Sequence, residues 1–270
     1  GIVNITYTSG SGCSSVHPLT VNSLPSAYPV TGGGNYCTGA GGLHINLGGS
    51  SSGVSYQLFN ATTGGATLTG TGGILDFGLQ TSAGVYTVKA TNTTGCTRMM
   101  SGSATIGIIP LPVITGPTAL CVGATITQSS TPGGSWTSTV PSVATIGASS
   151  GVVSGIATGT TVISYTSPTG CQSSTQVTVS TSPGAISGAA NVCVGLTTTL
   201  TNTVPGGVWS SSSGVATIGS LSGIVTGVAP GSTTITYSLG TGCTVTKTMT
   251  VVASPLPITG TGNLCVGGTA

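Results

Sequence analysis

Charged side chains are almost absent from this sequence of 270 residues: only Asp76, Lys89, Arg98 and Lys247 carry a full charge. A single carboxylate side chain cannot supply the paired acids of a glycosidase or a carboxylate-built calcium loop. Three basic side chains give no positive surface for nucleic acid and no polybasic membrane anchor. The sequence therefore predicts no nucleic-acid partner and no calcium site.

Motifs for catalysis and cofactor binding are missing as well. A Ser-His-Asp triad would have to use His44 and Asp76, which are typical of a surface histidine and of a turn aspartate beside "FG". No phosphate-binding glycine motif is complete despite 47 glycines, and no C-x-x-C pair suggests zinc. We predict that the chain is not an enzyme, with no catalytic residues, no metal and no cofactor.

Long apolar segments and helical patterns are also absent. The longest apolar stretch, residues 106–114, contains two prolines and is too short to cross a bilayer, so no membrane span is predicted. Short β-branched runs remain, such as Thr161, Ile163 and Tyr165 alternating with Val162, Ser164 and Thr166. Glycine and proline turns separate these runs. This pattern predicts an all-β fold of small two-sheet sandwiches.

Enough apolar material is present to fold, because 37% of the residues are hydrophobic, unlike a disordered chain. The low charge leaves little repulsion between copies, which favours association.

Internal repeats organise the chain. Cys121, Cys193 and Cys265 each lie in "CVG", 72 residues apart, and Cys171 and Cys243 each lie in "TGC" with the same separation. A fixed period of this size indicates tandem modules. The predicted pieces are the C-terminal part of one module (1–27), a divergent module (28–112), two close copies (113–184 and 185–257) and the N-terminal part of a further module (258–270). Proline-rich joints should hold the modules at restricted angles in an elongated rod.

The repeated units resemble a known family. "ITGPTALCVG", "PGGSWTS", "VATIG" and "GVVSGIATGTTVISYTSPTGC" are similar to bacterial Ig-like repeats of the group 2 kind. The divergent module, from "VTGGGNYCTGAGG" to "GVYTVKATNTTGCT", is similar to modules in giant secreted surface proteins of Bacteroidota. This resemblance implies tandem sandwiches in extracellular stalks, adhesins or filaments at the cell surface, and it implies no particular ligand.

Eight cysteines at repeat-matched spacing predict one disulfide in each module, which suits an extracellular location. The repeated offset of about 50 residues predicts three pairs: Cys37–Cys96, Cys121–Cys171 and Cys193–Cys243. Cys13 and Cys265 would then be half-bridges whose partners lie outside this sequence or in another subunit. Free reactive thiols are the alternative for these two.

Two classes of function remain open. The first is a structural component of an extracellular bacterial filament or surface stalk, whose partners are identical subunits or further repeats, head-to-tail. The second is an adhesin that binds a glycan or another cell-surface ligand in residues 28–112. Five aromatic residues could form a sugar-stacking platform there or belong to the core: Tyr36, Tyr56, Phe59, Phe77 and Tyr86.

Two structural expectations complete this interpretation. Trp136 and Trp209 recur in "GG-x-W" and should be buried between the sheets of their modules. Residues 1–22 and 258–270 should form strands that lack their own module partners. The sheets of such strands would be completed either by a chain that continues beyond this sequence or by another subunit.

Overall fold

The computed structural model describes residues 1–240 and 242–256, and within them every regular element is a β-strand. This confirms the predicted all-β fold. The described residues fall into two compact units, which meet between Leu111 and Pro112. The strand predicted for residues 258–270 lies outside the described residues.

The N-terminal piece is a single antiparallel hairpin. Its strands are β1 (Ile2–Thr8) and β2 (Ser14–Thr20), paired from Ile2 opposite Thr20 to Thr8 opposite Ser14. Strands were predicted for this piece, and it forms a two-stranded sheet of its own.

Residues 28–112 (module 28–112) form two sheets around one core. The nine strands are β3 (Val30–Gly32), β4 (Gly34–Cys37), β5 (Leu43–Leu47), β6 (Ser55–Asn60), β7 (Thr63–Thr69), β8 (Leu75–Gln80), β9 (Gly84–Thr91), β10 (Thr97–Met99) and β11 (Ala104–Ile109). One sheet has the order β4-β11-β9-β6-β7, with β10 also paired to β9, and the other has the order β3-β5-β8. Ile45, Tyr56, Leu58 and Val88 are fully buried in the core between them.

Residues 113–184 (module 113–184) repeat the two-sheet plan with seven strands. They are β12 (Ala119–Cys121), β13 (Thr125–Thr127), β14 (Ser135–Ser138), β15 (Ala144–Ile146), β16 (Val152–Gly155), β17 (Gly159–Thr166) and β18 (Gln172–Ser180). The sheets have the orders β12-β18-β17-β14 and β13-β16-β15.

Residues 185–257 (module 185–257) have the same topology. Their strands are β19 (Asn191–Cys193), β20 (Thr197–Thr199), β21 (Val208–Ser211), β22 (Ala216–Ile218), β23 (Ile224–Gly227), β24 (Gly231–Ser238) and β25 (Thr244–Val252). The sheet orders are β19-β25-β24-β21 and β20-β23-β22.

Alternation of side chains along the strands builds these cores. Ile163 and Tyr165 on β17 are buried and pack in one cluster with Val177 and Val179 on β18. The hydroxyl residues between them point away from the core, because successive side chains on a strand face opposite sides. Trp136 completes this core from β14, and its ring centroid lies 4.7 Å from that of Tyr165.

Near the start of each module, the strand that ends in a cysteine pairs in parallel with the module's last strand, and the cysteine lies at the end of that pairing. Cys37 is opposite Ile109, Cys121 is opposite Ser180, and Cys193 is opposite Val252. We call β4, β12 and β19 the opening strands. Their parallel direction determines which cysteines can meet, as described below.

Candidate functional site

Four hairpins of the chain carry a cysteine at the same point of the same turn. In each, a backbone N–H donates to the carbonyl of the cysteine four residues later, and the glycine before the cysteine has a positive φ near 84°. The donor and cysteine pairs are Ser9 with Cys13 (2.8 Å), Asn92 with Cys96 (3.1 Å), Ser167 with Cys171 (2.8 Å) and Leu239 with Cys243 (2.9 Å). We call these the closing hairpins. They present a sulfur atom in one repeated local geometry.

The cysteines of the opening strands and closing hairpins join different modules. Cys121, on the opening strand of module 113–184, forms a disulfide with Cys243, on the closing hairpin of module 185–257, with Cα atoms 5.8 Å apart. The covalent bond therefore spans 122 residues and links neighbouring repeats.

Parallel pairing of the opening strand explains why the two cysteines of one module cannot form a disulfide with each other. Cys193 lies opposite Val252, at the end of β25, whereas Cys243 directly precedes the first residue of the same strand. Nine residues of extended chain span about 30 Å at roughly 3.3 Å per residue. A disulfide needs Cα atoms within about 7 Å. The two cysteines of one module are therefore too far apart to bond.

This geometry corrects the predicted pairing. The pairs Cys121–Cys171 and Cys193–Cys243 are wrong because Cys121 is bonded to Cys243. The pair Cys37–Cys96 is wrong because Cys96 has a free thiol. Cys121–Cys171 and Cys193–Cys243 do share an offset of 50 residues, but an offset gives no information on strand direction.

The remaining described cysteines fall into two groups. Cys37 and Cys171 are also disulfide-bonded. Cys13, Cys96 and Cys193 have free thiols, and Cys13 is exposed while the other two are partly buried. Cys13 was predicted to lack a partner in the chain, and its thiol is free; Cys265 lies outside the described residues.

A cleft of about 310 Å³ lies beside the free thiol of Cys193. It is lined by Asn191, Val192, Cys193, Leu196, Thr197, Thr198 and Val252. Leu196 is 60% exposed and Val252 is 42% exposed, so apolar surface surrounds the sulfur. A thiol beside uncovered apolar side chains is suited to contact with another protein segment.

The hairpin of β1 and β2 is uncovered on both faces. Ile5 and Tyr7 are 55% and 73% exposed, and Leu19 and Val21 are about half exposed. Every residue of both strands is classed with the exposed surface. Apolar alternation without a core on either face marks this hairpin as an unpartnered sheet.

Buried tyrosines tie each "PGG" turn to the core. In module 185–257 the Tyr237 hydroxyl donates to the carbonyl of Val204 at 2.6 Å and accepts the N–H of Gly207 at 2.8 Å. In module 113–184 the Tyr165 hydroxyl donates to Thr131 and accepts from Gly134. The sequence analysis missed this role, although both tyrosines lie six residues before a cysteine.

The two tryptophans take the predicted place. Trp136 and Trp209 are each only 6% exposed, and each packs on the tyrosine of the neighbouring strand. Their predicted burial is confirmed.

His44 and Asp76 are brought together on neighbouring strands β5 and β8. The imidazole Nδ1 hydrogen-bonds the carboxylate at 2.7 Å, and both side chains are about half exposed. The His44 hydrogen bond and the Gly78 N–H lower the pKa of Asp76 below its usual value. The pair lies beside a β-bulge between His44 and Asn46, and it is an exposed hydrogen-bonded pair of the sheet surface.

The five aromatic residues considered for a sugar site in module 28–112, which is described throughout, do not form a stacking platform. Tyr56, Phe77 and Tyr86 are buried in the core. Phe59 is covered by the Lys89 ammonium group, 5.1 Å from its ring centroid. A cavity of about 420 Å³ in this module is lined mainly by polar residues and glycines: Leu58, Asn60, Thr63, Gly64, Gly65, Gln80, Ser82 and Tyr86. Most of the aromatic residues therefore belong to the core.

Across residues 1–240 and 242–256, no three His, Cys, Asp or Glu residues come close enough to hold a metal ion. The same residues contain no helix with the length and apolar character needed to cross a membrane.

Solved structures with a similar arrangement of strands come from several extracellular proteins. The C-terminal 282-residue fragment of intimin, solved with the intimin-binding domain of the translocated intimin receptor, is 18% identical over 59% of this chain and 67% of its own length, with a TM-score of 0.41. Domains 1–6 of the surface-layer protein SbsC are 18% identical over 92% of this chain and 44% of their own (TM-score 0.26). The eight N-terminal Ig domains of Down syndrome cell adhesion molecule are 13% identical over 93% of this chain and 39% of their own length, with a TM-score of 0.38.

The chain thus spans less than half the length of the surface-layer and adhesion-molecule structures. No protein-family model matches the chain. A comparison with curated protein sequences gives no match either.

Proposed function

We propose that the chain is a structural component of an extracellular bacterial filament or surface stalk, built from tandem disulfide-linked Ig-like repeats. Its partners are identical subunits or further repeats of the same chain, head-to-tail, and the partner proposed for its uncovered hairpin is a second copy of this chain. The role is mechanical and non-enzymatic. The observation that carries the proposal is the uncovered hairpin of β1 and β2.

The hairpin has the same strand register as the β24–β25 hairpin of module 185–257, but it lacks the neighbouring strands that cover that hairpin. In module 185–257, β25 pairs with the opening strand β19 and β24 pairs with the tryptophan strand β21. β1 and β2 have neither neighbour. Unpaired edges with exposed apolar side chains associate with another chain in water.

A second copy carries a sequence suited to supply the missing opening strand. Residues 264–267 read "LCVG", identical to residues 120–123 of module 113–184 and one residue different from "VCVG" at 192–195. The low charge of the chain also leaves copies with little mutual repulsion.

The bond between Cys121 and Cys243 supports the extracellular assignment. A disulfide persists in oxidising surroundings and is rare where glutathione keeps thiols reduced. A covalent link between neighbouring modules also suits a part that is pulled, because neither module can separate from the other while the bond is intact.

Sedimentation velocity and negative-stain microscopy test this function without covalent cross-links. The full chain is prepared with Cys13, Cys96, Cys193 and Cys265 replaced by serine, and association is measured over a range of concentrations. We expect elongated assemblies that grow with concentration. The double substitution Ile5→Asn and Tyr7→Asn should abolish them, because it removes apolar contacts from the hairpin.

Leu221→Asn is the matched control, since Leu221 is 83% exposed in a turn of module 185–257. It should associate like the parent chain. The proposed function is wrong if the parent remains monomeric at every concentration, or if the hairpin variant assembles as well as the control.

A further inference from the structure

We propose that Cys193 forms a disulfide with Cys13 of a second copy of this chain, so that the bond between Cys121 and Cys243 is repeated from one chain to the next. The inference rests on the proposed function and names the covalent link that would fix its assembly. Four observations on the two thiols and their surroundings lead to it.

The first observation is the equivalence of Cys193 and Cys121. Each is the last residue of an opening strand and lies opposite the end of the closing strand, at Val252 and Ser180 respectively. Cys121 is bonded to a closing hairpin of the following module, whereas Cys193 has a free thiol. Cys193 therefore occupies the position from which this kind of link is made, without its partner.

The second observation is the surface beside each sulfur. At the bonded junction, Leu239 of a closing hairpin lines one cleft with Ser180 and Thr181 of the preceding module. Beside Cys193 lies the cleft with exposed Leu196 and Val252, and Val252 occupies the place in module 185–257 that Ser180 occupies in module 113–184. A closing hairpin from another module would cover these apolar side chains as it brings its sulfur to Cys193.

The third observation is the hairpin of Cys13. It has the turn of the Cys243 hairpin, with matching hydrogen bonds and a glycine φ of 84° in both. Its strand register also matches, because Thr8 opposite Ser14 corresponds to Ser238 opposite Thr244. The Cys13 thiol is free and exposed, and so it can be presented to Cys193 as Cys243 is presented to Cys121.

The fourth observation concerns the other free thiol, Cys96. Its sulfur lies 4.0 Å from the carbonyl oxygen of Asn22, and Asn92 of the same hairpin donates to Ser23 at 2.8 Å. Asn22 follows β2 at the place where Ser180 ends β18, nine residues after the hairpin cysteine. An opening strand added beside β2 would therefore bring its cysteine close to Cys96.

A second copy satisfies all of these thiols together. Cys13 and Cys96 are closing-hairpin cysteines, and Cys193 and Cys265 lie in opening-strand sequences. Cys193 would pair with Cys13 of the next copy, and the opening-strand sequence around Cys265 is of the type that would pair beside Cys96. This match in type favours a second copy of the chain as the partner.

The chemistry is a two-electron oxidation by thiol–disulfide exchange. The Cys13 thiol loses its proton, and the thiolate attacks a small-molecule disulfide such as oxidised glutathione, releasing one glutathione thiolate. The Cys193 thiolate then attacks the mixed disulfide, forms the S–S bond and releases the second glutathione. Two protein thiols are oxidised, and one glutathione disulfide is reduced to two thiols.

Isotope-mixed disulfide mapping tests the link. Equal amounts of ¹⁴N and ¹⁵N full-length chain are mixed and oxidised with glutathione disulfide, separated by non-reducing electrophoresis, and digested with pepsin at low pH for mass spectrometry. We expect a ladder of covalent multimers. We also expect linked peptides that contain Cys13 and Cys193, about half of them carrying one light and one heavy partner.

Two variants sharpen the result. Cys193→Ser should remove the Cys13–Cys193 peptide completely and reduce the ladder of multimers. Adding Ser182→Cys to that variant supplies a thiol at another position, and it should not restore a linked peptide with Cys13. The serine variant without the four thiols should still associate, because the hairpin contacts remain. Loss of the covalent link and loss of association are therefore measured separately.

The inference is overturned if both thiols remain free in chains that associate, if Cys193 bonds Cys96, or if the Cys13–Cys193 peptide carries only one isotope. It is also overturned if Cys193 in protein from its natural source is bonded to a cysteine outside this sequence. None of these results by itself overturns the proposed function, which is tested separately by the association of the parent chain and by the hairpin variant.

Discussion

The hairpins β1–β2 and β24–β25 have the same backbone and opposite surroundings. Ile5 and Tyr7 correspond to Ile235 and Tyr237 in strand register, but the first two are mostly exposed and the second two are buried at 0% and 4%. Turn and register are local properties, fixed by a glycine and a few hydrogen bonds. Burial depends on the opening strand, the tryptophan strand and the second sheet. The comparison separates what a hairpin sequence forms alone from what a module adds.

The largest expected effect comes from releasing the covered hairpin from the neighbouring module. Replacing Cys121 and Cys243 together by serine removes a bond across 122 residues. The chain-entropy estimate for a loop of this length is about 5 kcal/mol of unfolding free energy. Denaturant unfolding, followed by the fluorescence of Trp136 and Trp209, should show lower midpoints in both linked modules.

Cys13→Ser is the control for this experiment. It changes the same turn position in the uncovered hairpin, where the thiol is free, and should leave both midpoints unchanged. Equal midpoints in the double variant and the parent chain would show that the bond does not stabilise the modules.

A second change removes the cover from one side of β24. Trp209→Ala takes away the ring that packs 4.6 Å from Tyr237 and should cost about 3–5 kcal/mol in module 185–257. Hydrogen exchange of the β24 and β25 amides should then approach that of β1 and β2. Amides in module 28–112 should keep their protection, since repeat modules have separate cores.

The matched control is Val208→Ala, one residue earlier on the same strand and half exposed. An exposed substitution of this kind changes stability by less than about 0.5 kcal/mol. The same exchange pattern in Trp209→Ala and Val208→Ala would contradict the claim that the tryptophan ring protects the β24–β25 hairpin.

The smallest effect compares two tyrosines at equivalent positions. Tyr237→Phe removes one hydroxyl and leaves the Val204 carbonyl and Gly207 N–H without their partner, at a cost of about 1–3 kcal/mol. Tyr7→Phe should have no measurable effect, because the Tyr7 side chain is 73% exposed. Denaturant midpoints of the two variants measure the difference, and a Tyr7 variant as destabilised as the Tyr237 variant would contradict it.

Much of the fold could be read from residue pattern. Alternation in residues 161–166 predicted a strand, and "GG-x-W" predicted two buried tryptophans, since both features are local or repeat with the module. The tyrosine hydroxyl bonds could not be read in the same way. They depend on where the "PGG" loop folds back, and its residues are 30 or more positions away from the tyrosines in the chain.

The cysteines show most clearly what could be predicted from the sequence and what required the structure. Their period of 72 residues was enough to establish repeats and to separate opening-strand cysteines from closing-hairpin cysteines. Spacing could not choose between Cys121–Cys171 and Cys121–Cys243, because both pairs join one cysteine of each type. Only the parallel pairing of first and last strands decided it, by placing the two cysteines of one module about 30 Å apart. The sequence by itself determined the strands, the turns and the repeat, and the tertiary structure decided which modules are joined, because strand direction is a property of the assembled sheet.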